Sequence, residues 1–260
     1  DIFHAPRAVE GLIGAVDLCR SLHLRHVVVG GGSNILFSDR GFRGVVISTA
    51  AIRGIDDRGP EIGVRAGEPL ASLLRHAEGR GVRSLSFLAG IPGTVGGAIA
   101  MNAGVPGRTI GDMVCSVVVL DEIGRVRELT PSECGFGYRA SAIRKAGWVV
   151  LGATLHTEGP EYDGGEILAR KRATQPLSLP SAGCVFKNPP GESAGALIDR
   201  SGLKGIMVGK AQVSEKHANF IVNLGGATSA EICKLIDIVR QKVYNTYQVS
   251  LDLEVEVVAG

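Results

Sequence analysis

The chain has 260 residues, 45% of them hydrophobic and 21% charged, with a formal net charge of +2. That length allows one large domain or two to three small ones. The charge balance excludes a disordered chain and offers no electrostatic footprint for nucleic acid. No apolar run reaches the roughly 18 residues of a membrane span, so a soluble protein without a membrane partner is expected.

The cysteines, Cys19, Cys115, Cys134, Cys184 and Cys233, are odd in number, dispersed and free of any CxxC. Neither a disulfide framework nor a metal site is therefore expected, and a reducing cytoplasm fits best. The start, "DIFHAPRAVE", lacks a signal-peptide pattern. It has no initiator methionine and opens on a strand, so some leading sequence is expected to be missing.

"DIFHA" predicts a strand. Val9, Leu12, Ile13, Val16 and Cys19 recur at helical spacing, and "HVVV" and "GVVIS" read as strands, which makes a compact βαβ unit. Further strands are predicted at "EIGVRAG", "SVVVLD" and "WVVLGATLHT", around a helix from Pro69 to Gly79. "YDGGEILARKRATQPLSLP" reads as a short charged helix and a proline-bounded linker. "SAGALIDRSG" predicts a short helix and "ANFIVNL" a strand.

"TSAE" at Thr228 to Glu231 is a capping box that opens a helix carrying Ile232, Leu235, Ile236, Val239 and Val243. Val249, Leu251, Leu253, Val255 and Val257 then alternate as a half-buried strand. Ser250, Asp252, Glu254 and Glu256 fall on its other face, so Glu254 and Glu256 are expected to share one side. The resulting division is 1–50, 51–165 and 166–260.

The 37 glycines, about twice the usual share of roughly 7%, cluster instead of repeating. "GGGSN", Gly30 to Asn34, ends a strand and can offer backbone N–H groups to a phosphate, although a plain tight turn also accounts for it. Ile35 stands where a dinucleotide fingerprint needs its last glycine, which disfavours that site. "GIPGTVGGAIAMNAG" has glycines at 90, 93, 96, 97 and 104 and no P-loop lysine, and such a density points to close backbone approach by a ligand.

The remaining polar candidates read blandly when taken singly. Arg139 in "GYRAS" can be a solvated or paired arginine, Glu254 and Glu256 the wet face of a strand, and His217 a polar cap. Cys184 can be a small buried hydrophobe.

In order along the sequence, "VVVGGGSNILFSDRGFRGVVI", "LAGIPGTVGGAIAMNAG", "GYRAS", "ATQPLSLPSAGCVFKNP", "SEKHANFIVN" and "LEVEVV" resemble the UDP-N-acetylenolpyruvoylglucosamine reductase family. The resemblance spans nearly the whole chain. It implies an α/β (α+β) fold of the vanillyl-alcohol-oxidase type, with two FAD-binding subdomains (1–50 and 51–165) and a C-terminal α/β substrate domain (166–260). It also implies non-covalent FAD, NADPH as co-substrate, no metal, and a UDP-sugar substrate in peptidoglycan precursor synthesis. A monomer is expected.

By the same resemblance, Gly30, Gly31, Gly32, Ser33 and Asn34 would cradle the FAD pyrophosphate. Gly90, Pro92, Gly93, Thr94, Gly96, Gly97, Ala98, Asn102 and Gly104 would line the ribityl and isoalloxazine region. The family's reaction takes hydride from NADPH to flavin N5 and then to C3 of the enolpyruvyl ether, after which a proton reaches C2. Arg139 and Glu254 would polarise the substrate near its carboxylate, and Cys184 would donate the proton where better-known members carry serine. A thiol, with a reference pKa of about 8.5, is mostly protonated at neutral pH and more acidic than an alcohol.

Tyr138, Gln175, Lys187, Asn188 and His217 would contact the substrate. "EVEVVA" places Glu254 in the family's carboxylate position, although Ala259 replaces an expected glycine. The short segment between "GYRAS" and "PSAG" implies the type without the extra tyrosine loop. Members usually carry a Thr-rich segment and a further "GG" ahead of the first strand, which this chain lacks. A binding protein without turnover is the alternative reading, and an alcohol oxidase is disfavoured by "FKNP" and "HANF".

Overall fold

The structure is a computed structural model and describes residues 1–259. Strand β1 (Ile2–His4), helix α1 (Val9–Ser21) and strands β2 (His26–Val29), β3 (Ile35–Phe37) and β4 (Val45–Ser48) come first. Strands β5 (Ile55–Arg58) and β6 (Glu61–Arg65), helices α2 (Leu70–Gly79) and α3 (Val95–Ala100) and the hairpin of β7 (Gly104–Val105) and β8 (Arg108–Thr109) follow. Then come β9 (Val114–Leu120), β10 (Val126–Leu129), α4 (Pro131–Cys134), α5 (Ala142–Ala146), β11 (Val149–His156) and α6 (Gly164–Thr174). The last elements are α7 (Ala194–Arg200), β12 (Met207–Val208), β13 (Ala211–Val213), β14 (Ile221–Asn223), α8 (Ser229–Tyr247) and β15 (Glu256–Val258).

Internal contacts divide the protein into two compact units, residues 1–32 with 43–169, and residues 33–42 with 170 onward. In the first unit β1, β4 and β2 form a parallel sheet in that order, with Ile2 and His26 both opposite Val45. The sequential strands β1 and β2 are therefore not neighbours, because β4 lies between them. The stripe Leu12, Val16 and Cys19 of α1 is buried against Val45 and Ile47.

The unit's second sheet is antiparallel, in the order β10-β9-β11-β6-β5. Its alternating residues Ile62, Val64, Val117 and Val119 pack with Leu70 and Leu73 of α2 and with Val95 and Ile99 of α3. This packing sets the glycine-rich stretch around α3 on a rigid floor.

In the second unit β12-β13-β14 form an antiparallel sheet, and β3 pairs in parallel with β15, Ile35 opposite Glu256. Leu235, Ile236, Val239 and Val243 of α8 are all buried, as their spacing requires. The capping box forms: Glu231 N–H donates to Thr228 Oγ1 (3.1 Å) and Thr228 N–H to Glu231 Oε2 (3.0 Å). A second cap comes from Asp39, whose carboxylate accepts from Ser229 N–H (2.8 Å), Ala230 N–H (3.2 Å) and Ser229 Oγ–H (2.8 Å).

The terminal strand departs from the alternating pattern. Ladder pairing covers Glu256 to Val258 alone, and upstream there is one isolated bridge, Leu253 to Phe186. Val185 C=O accepts both Glu254 N–H (2.8 Å) and Val255 N–H (3.4 Å), so two residues oppose one and the period of two is lost. Val255 and Val258 are buried while Val257 is exposed. Glu254 is half-buried and Glu256 exposed, so the two carboxylates are not equivalent.

The Asp39 carboxyl lies below its ordinary value of 3.8, chiefly because it accepts hydrogen bonds from Ser229. A depressed folded-state value stabilises above the unfolded value and is lost as pH falls through the folded one. Asp39→Asn should therefore flatten the fall of the thermal midpoint between about pH 5 and pH 3 relative to wild type. Circular dichroism melts across that range would show it, and parallel curves would contradict it.

Candidate active site

In the first unit two glycine loops lie back to back. A Cβ on Gly30 would stand 2.4 Å from Thr94 Oγ1, and one on Gly31 would stand 3.3 Å from Gly93 Cα. Thr94 is buried and caps α3, and Leu70 N–H holds Gly93 C=O at 3.0 Å, so neither loop can retreat cheaply. Gly32 has φ +69° and open space where a side chain would be. The N–H groups of Gly31 and Gly32 make no backbone hydrogen bond among the described residues.

A side-chain-free loop with unused backbone donors suits the diphosphate of FAD. Gly90, Pro92 and Gly97 are accessible or half-buried along the second loop, whereas Gly96 and Ala98 are buried within α3. Gly104 is required by the β7–β8 hairpin, because a Cβ there would meet Arg108 C=O at 2.2 Å.

Asn102, 3% exposed and at φ +47°, uses both ends of its amide. Its Oδ1 accepts Gly111 N–H (3.0 Å) and its Nδ2 donates to Gly137 C=O (2.9 Å). Gly137 opens the tight turn that carries Tyr138 and Arg139, closed by reciprocal bonds between Gly137 and Ala140. Ser141 Oγ–H ties its far end to Ala100 C=O at 2.7 Å. Arg139, half-buried and at φ +52°, donates from Nη2 to Gly104 C=O at 3.2 Å and lies over the Tyr138 ring.

In the second unit the half-buried Cys184 forms a bridge with Phe220, and Val185 N–H donates to Asn219 C=O at 2.8 Å. On the other edge of the same segment are Glu254 N–H, bonded to Val185 C=O, and Lys187 N–H, bonded to Asp252 C=O at 2.8 Å. Cys184 and Glu254, 70 positions apart, are thus carried on directly hydrogen-bonded backbone. Asn34 holds the second of these: its Nδ2 donates to Glu254 C=O (2.9 Å) and its own C=O accepts Glu256 N–H (2.9 Å). Ser33 belongs to this unit too.

His217 packs edge-on against Phe220, and its Nδ1 accepts Asn219 N–H at 3.3 Å. Burial holds its pKa below the ordinary value, against a hydrogen bond to its own backbone that raises it, and the charge of Lys204 adds a smaller lowering. The neutral form of the ring is thereby favoured over the charged one. Asn188 Oδ1 accepts Ala194 N–H at the start of α7 (3.0 Å), and Gln175 lies half-buried just beyond α6 beside buried Pro176. Asn219 is missed by the sequence patterns, although a buried polar residue between Ala218 and Phe220 in "HANF" was the available signal.

Residues 1–130 match an FAD binding domain, and residues 175–258 match the C-terminal domain of UDP-N-acetylenolpyruvoylglucosamine reductase. A UDP-N-acetylenolpyruvoylglucosamine reductase from Moorella thermoacetica is 44% identical over 262 residues, 99% of this chain and 86% of that protein. The chain belongs to the UDP-N-acetylenolpyruvoylglucosamine reductase family. Another relative of that name, from Heliobacterium modesticaldum, is 42% identical over 267 residues, 99% of this chain and 84% of the relative.

The crystal structure of the Thermus caldophilus UDP-N-acetylenolpyruvylglucosamine reductase superposes with a TM-score of 0.78 at 36% identity. It covers 98% of this chain and 91% of the other. The architecture is thus the α/β FAD-binding fold of this family. No group of three or more metal-binding side chains occurs among the described residues, and none of their helices is long and apolar enough to cross a membrane.

Gly30→Ala should release flavin. Overpacking costs about 1–3 kcal/mol, or roughly fivefold to a hundredfold in FAD retention. Gly30→Ala with Thr94→Ala removes the clashing Oγ1 and should recover part of the loss. Flavin absorbance per protein after gel filtration measures both, and a flavin-replete single variant would contradict the tight approach.

Proposed function

We propose that this chain is an FAD-dependent reductase that uses NADPH to convert UDP-N-acetylglucosamine enolpyruvate to UDP-N-acetylmuramate in peptidoglycan precursor synthesis. The observation that carries the reading is the family relationship over 99% of the chain, with Arg139, Cys184 and Glu254 all present at the motif positions. Bound FAD supplies the passage of hydride from NADPH to the substrate, and the glycine loops at Gly30–Gly32 and Gly90–Gly104 hold it without covalent attachment. Residues 1–50 and 51–165 serve as FAD-binding subdomains and 166–260 as the substrate domain, in a cytoplasmic monomer.

Hydride addition at C3 leaves electron density at C2 and on the adjoining carboxylate. Arg139 and Glu254 polarise that group, with the guanidinium offsetting the growing negative charge. Cys184 acts as the general acid: its S–H bond breaks, the proton goes to C2, and the bonding pair stays on sulfur as thiolate. His217 joins Tyr138, Gln175, Lys187 and Asn188 in holding the UDP-sugar.

The purified protein with FAD should oxidise NADPH only when the enolpyruvyl substrate is present. Cys184→Ser should keep turnover. Cys184→Ala should still be reduced by NADPH but pass its hydride to substrate roughly 10²–10⁴-fold more slowly, the usual worth of a positioned acid. Stopped-flow flavin absorbance separates the two half-reactions, and an alanine variant that is reoxidised by substrate as fast as wild type would remove Cys184 from the chemistry.

A further inference from the structure

We propose that Asn219 is a positioning residue for the proton donor: its buried side chain holds the segment on which Cys184 presents its thiol. This rests on the reading of Cys184 as the acid. Asn219 is 3% exposed, and both ends of its amide bond to one residue, Oδ1 accepting Phe186 N–H (2.9 Å) and Nδ2 donating to Phe186 C=O (2.8 Å). The side chain thus takes the place of a neighbouring strand. With its backbone carbonyl on Val185 N–H, Asn219 makes three hydrogen bonds to the two residues that follow Cys184.

Only an amide of this length meets the requirement. Aspartate has no donor for Phe186 C=O, and alanine leaves both buried backbone groups of Phe186 unpaired. The turn that carries Asn219 does not need the amide, since Phe220 N–H donates to His217 C=O (2.9 Å) and Ser214 N–H to Phe220 C=O (2.8 Å). Val185 N–H to Asn219 C=O and Lys187 N–H to Asp252 C=O are likewise backbone bonds that substitution leaves in place. Losing the amide therefore loosens the segment at Phe186 while its other ties persist. A displacement near 1 Å of a reacting group costs roughly 10²-fold in rate, whereas flavin reduction by NADPH makes no use of Cys184.

The test uses the FAD-loaded full-length protein, wild type, Asn219→Asp and Asn219→Ala, in anaerobic rapid mixing. Both variants should be reduced by NADPH at the wild-type rate. Their reoxidation by the enolpyruvyl substrate should slow roughly 10²-fold, with a raised solvent deuterium isotope effect because proton delivery has become the slow step. A variant that reoxidises at the wild-type rate and isotope effect overturns the proposal. So does equal slowing of both half-reactions with a lowered thermal midpoint, which would make the residue merely structural. Should alanine fail to fold, the near-isosteric aspartate decides alone. Wild-type protein that NADPH reduces but substrate does not reoxidise would instead refute the proposed reaction itself.

Discussion

The second unit depends on how the backbone from Cys184 to Lys187 is shared. One edge is bonded to the turn at Asn219 and Phe220, and the other to Asp252 and Glu254. Burying such an extended segment demands partners for its N–H and C=O groups, and two stretches far apart in sequence supply them. The demand also explains the bend at Glu254 and Val255, because a single carbonyl, Val185 C=O, takes both of their N–H groups. Strand pairing here serves less to extend a sheet than to bring a thiol and a carboxylate onto neighbouring backbone.

In the first unit the governing constraint is steric. Two loops can meet as closely as Gly30 and Thr94 do only if one has no side chain, and Thr94 is itself committed to capping α3. The same economy recurs at the turn bearing Arg139, which Asn102, Ser141 and Arg139 itself tie to the segment from Ala100 to Gly104. The loop proposed to line the flavin region and the arginine proposed to steady the substrate are therefore parts of one hydrogen-bonded block. A change in either is felt by the other without any hinge between them.

Elements whose signal is local were legible. The stripe of α1 and the capping box and spacing of α8 follow from side chains three and four apart, and the structure has them where the pattern puts them. The short β3 was not foreseen, because its three residues become a strand only by pairing with β15 more than two hundred positions away. The run from Val249 to Val257 misled for a related reason: alternation presumes one partner per residue, which Val185 does not respect. Asn34, Asn102 and Asn219 were opaque as braces, since an amide that imitates backbone leaves no periodic trace. Cys184 became a candidate only through the order of motifs around it, as its own neighbours suit a buried small residue equally well.

That contrast bears on whether serine and cysteine can be exchanged at position 184. The backbone that carries Cys184 is held by the bonds of Val185, Phe186 and Lys187 to the turn at Asn219 and to Asp252 and Glu254. In the proposed reaction the scaffold would fix where the proton starts and leave the identity of the donor to chemistry. A thiol meets that chemical requirement so long as it stays protonated, as a free thiol with a reference pKa of about 8.5 mostly is at neutral pH. These ties run through Val185, Phe186 and Lys187, so exchanging sulfur for oxygen at position 184 leaves them in place and alters the proton affinity of the proposed donor.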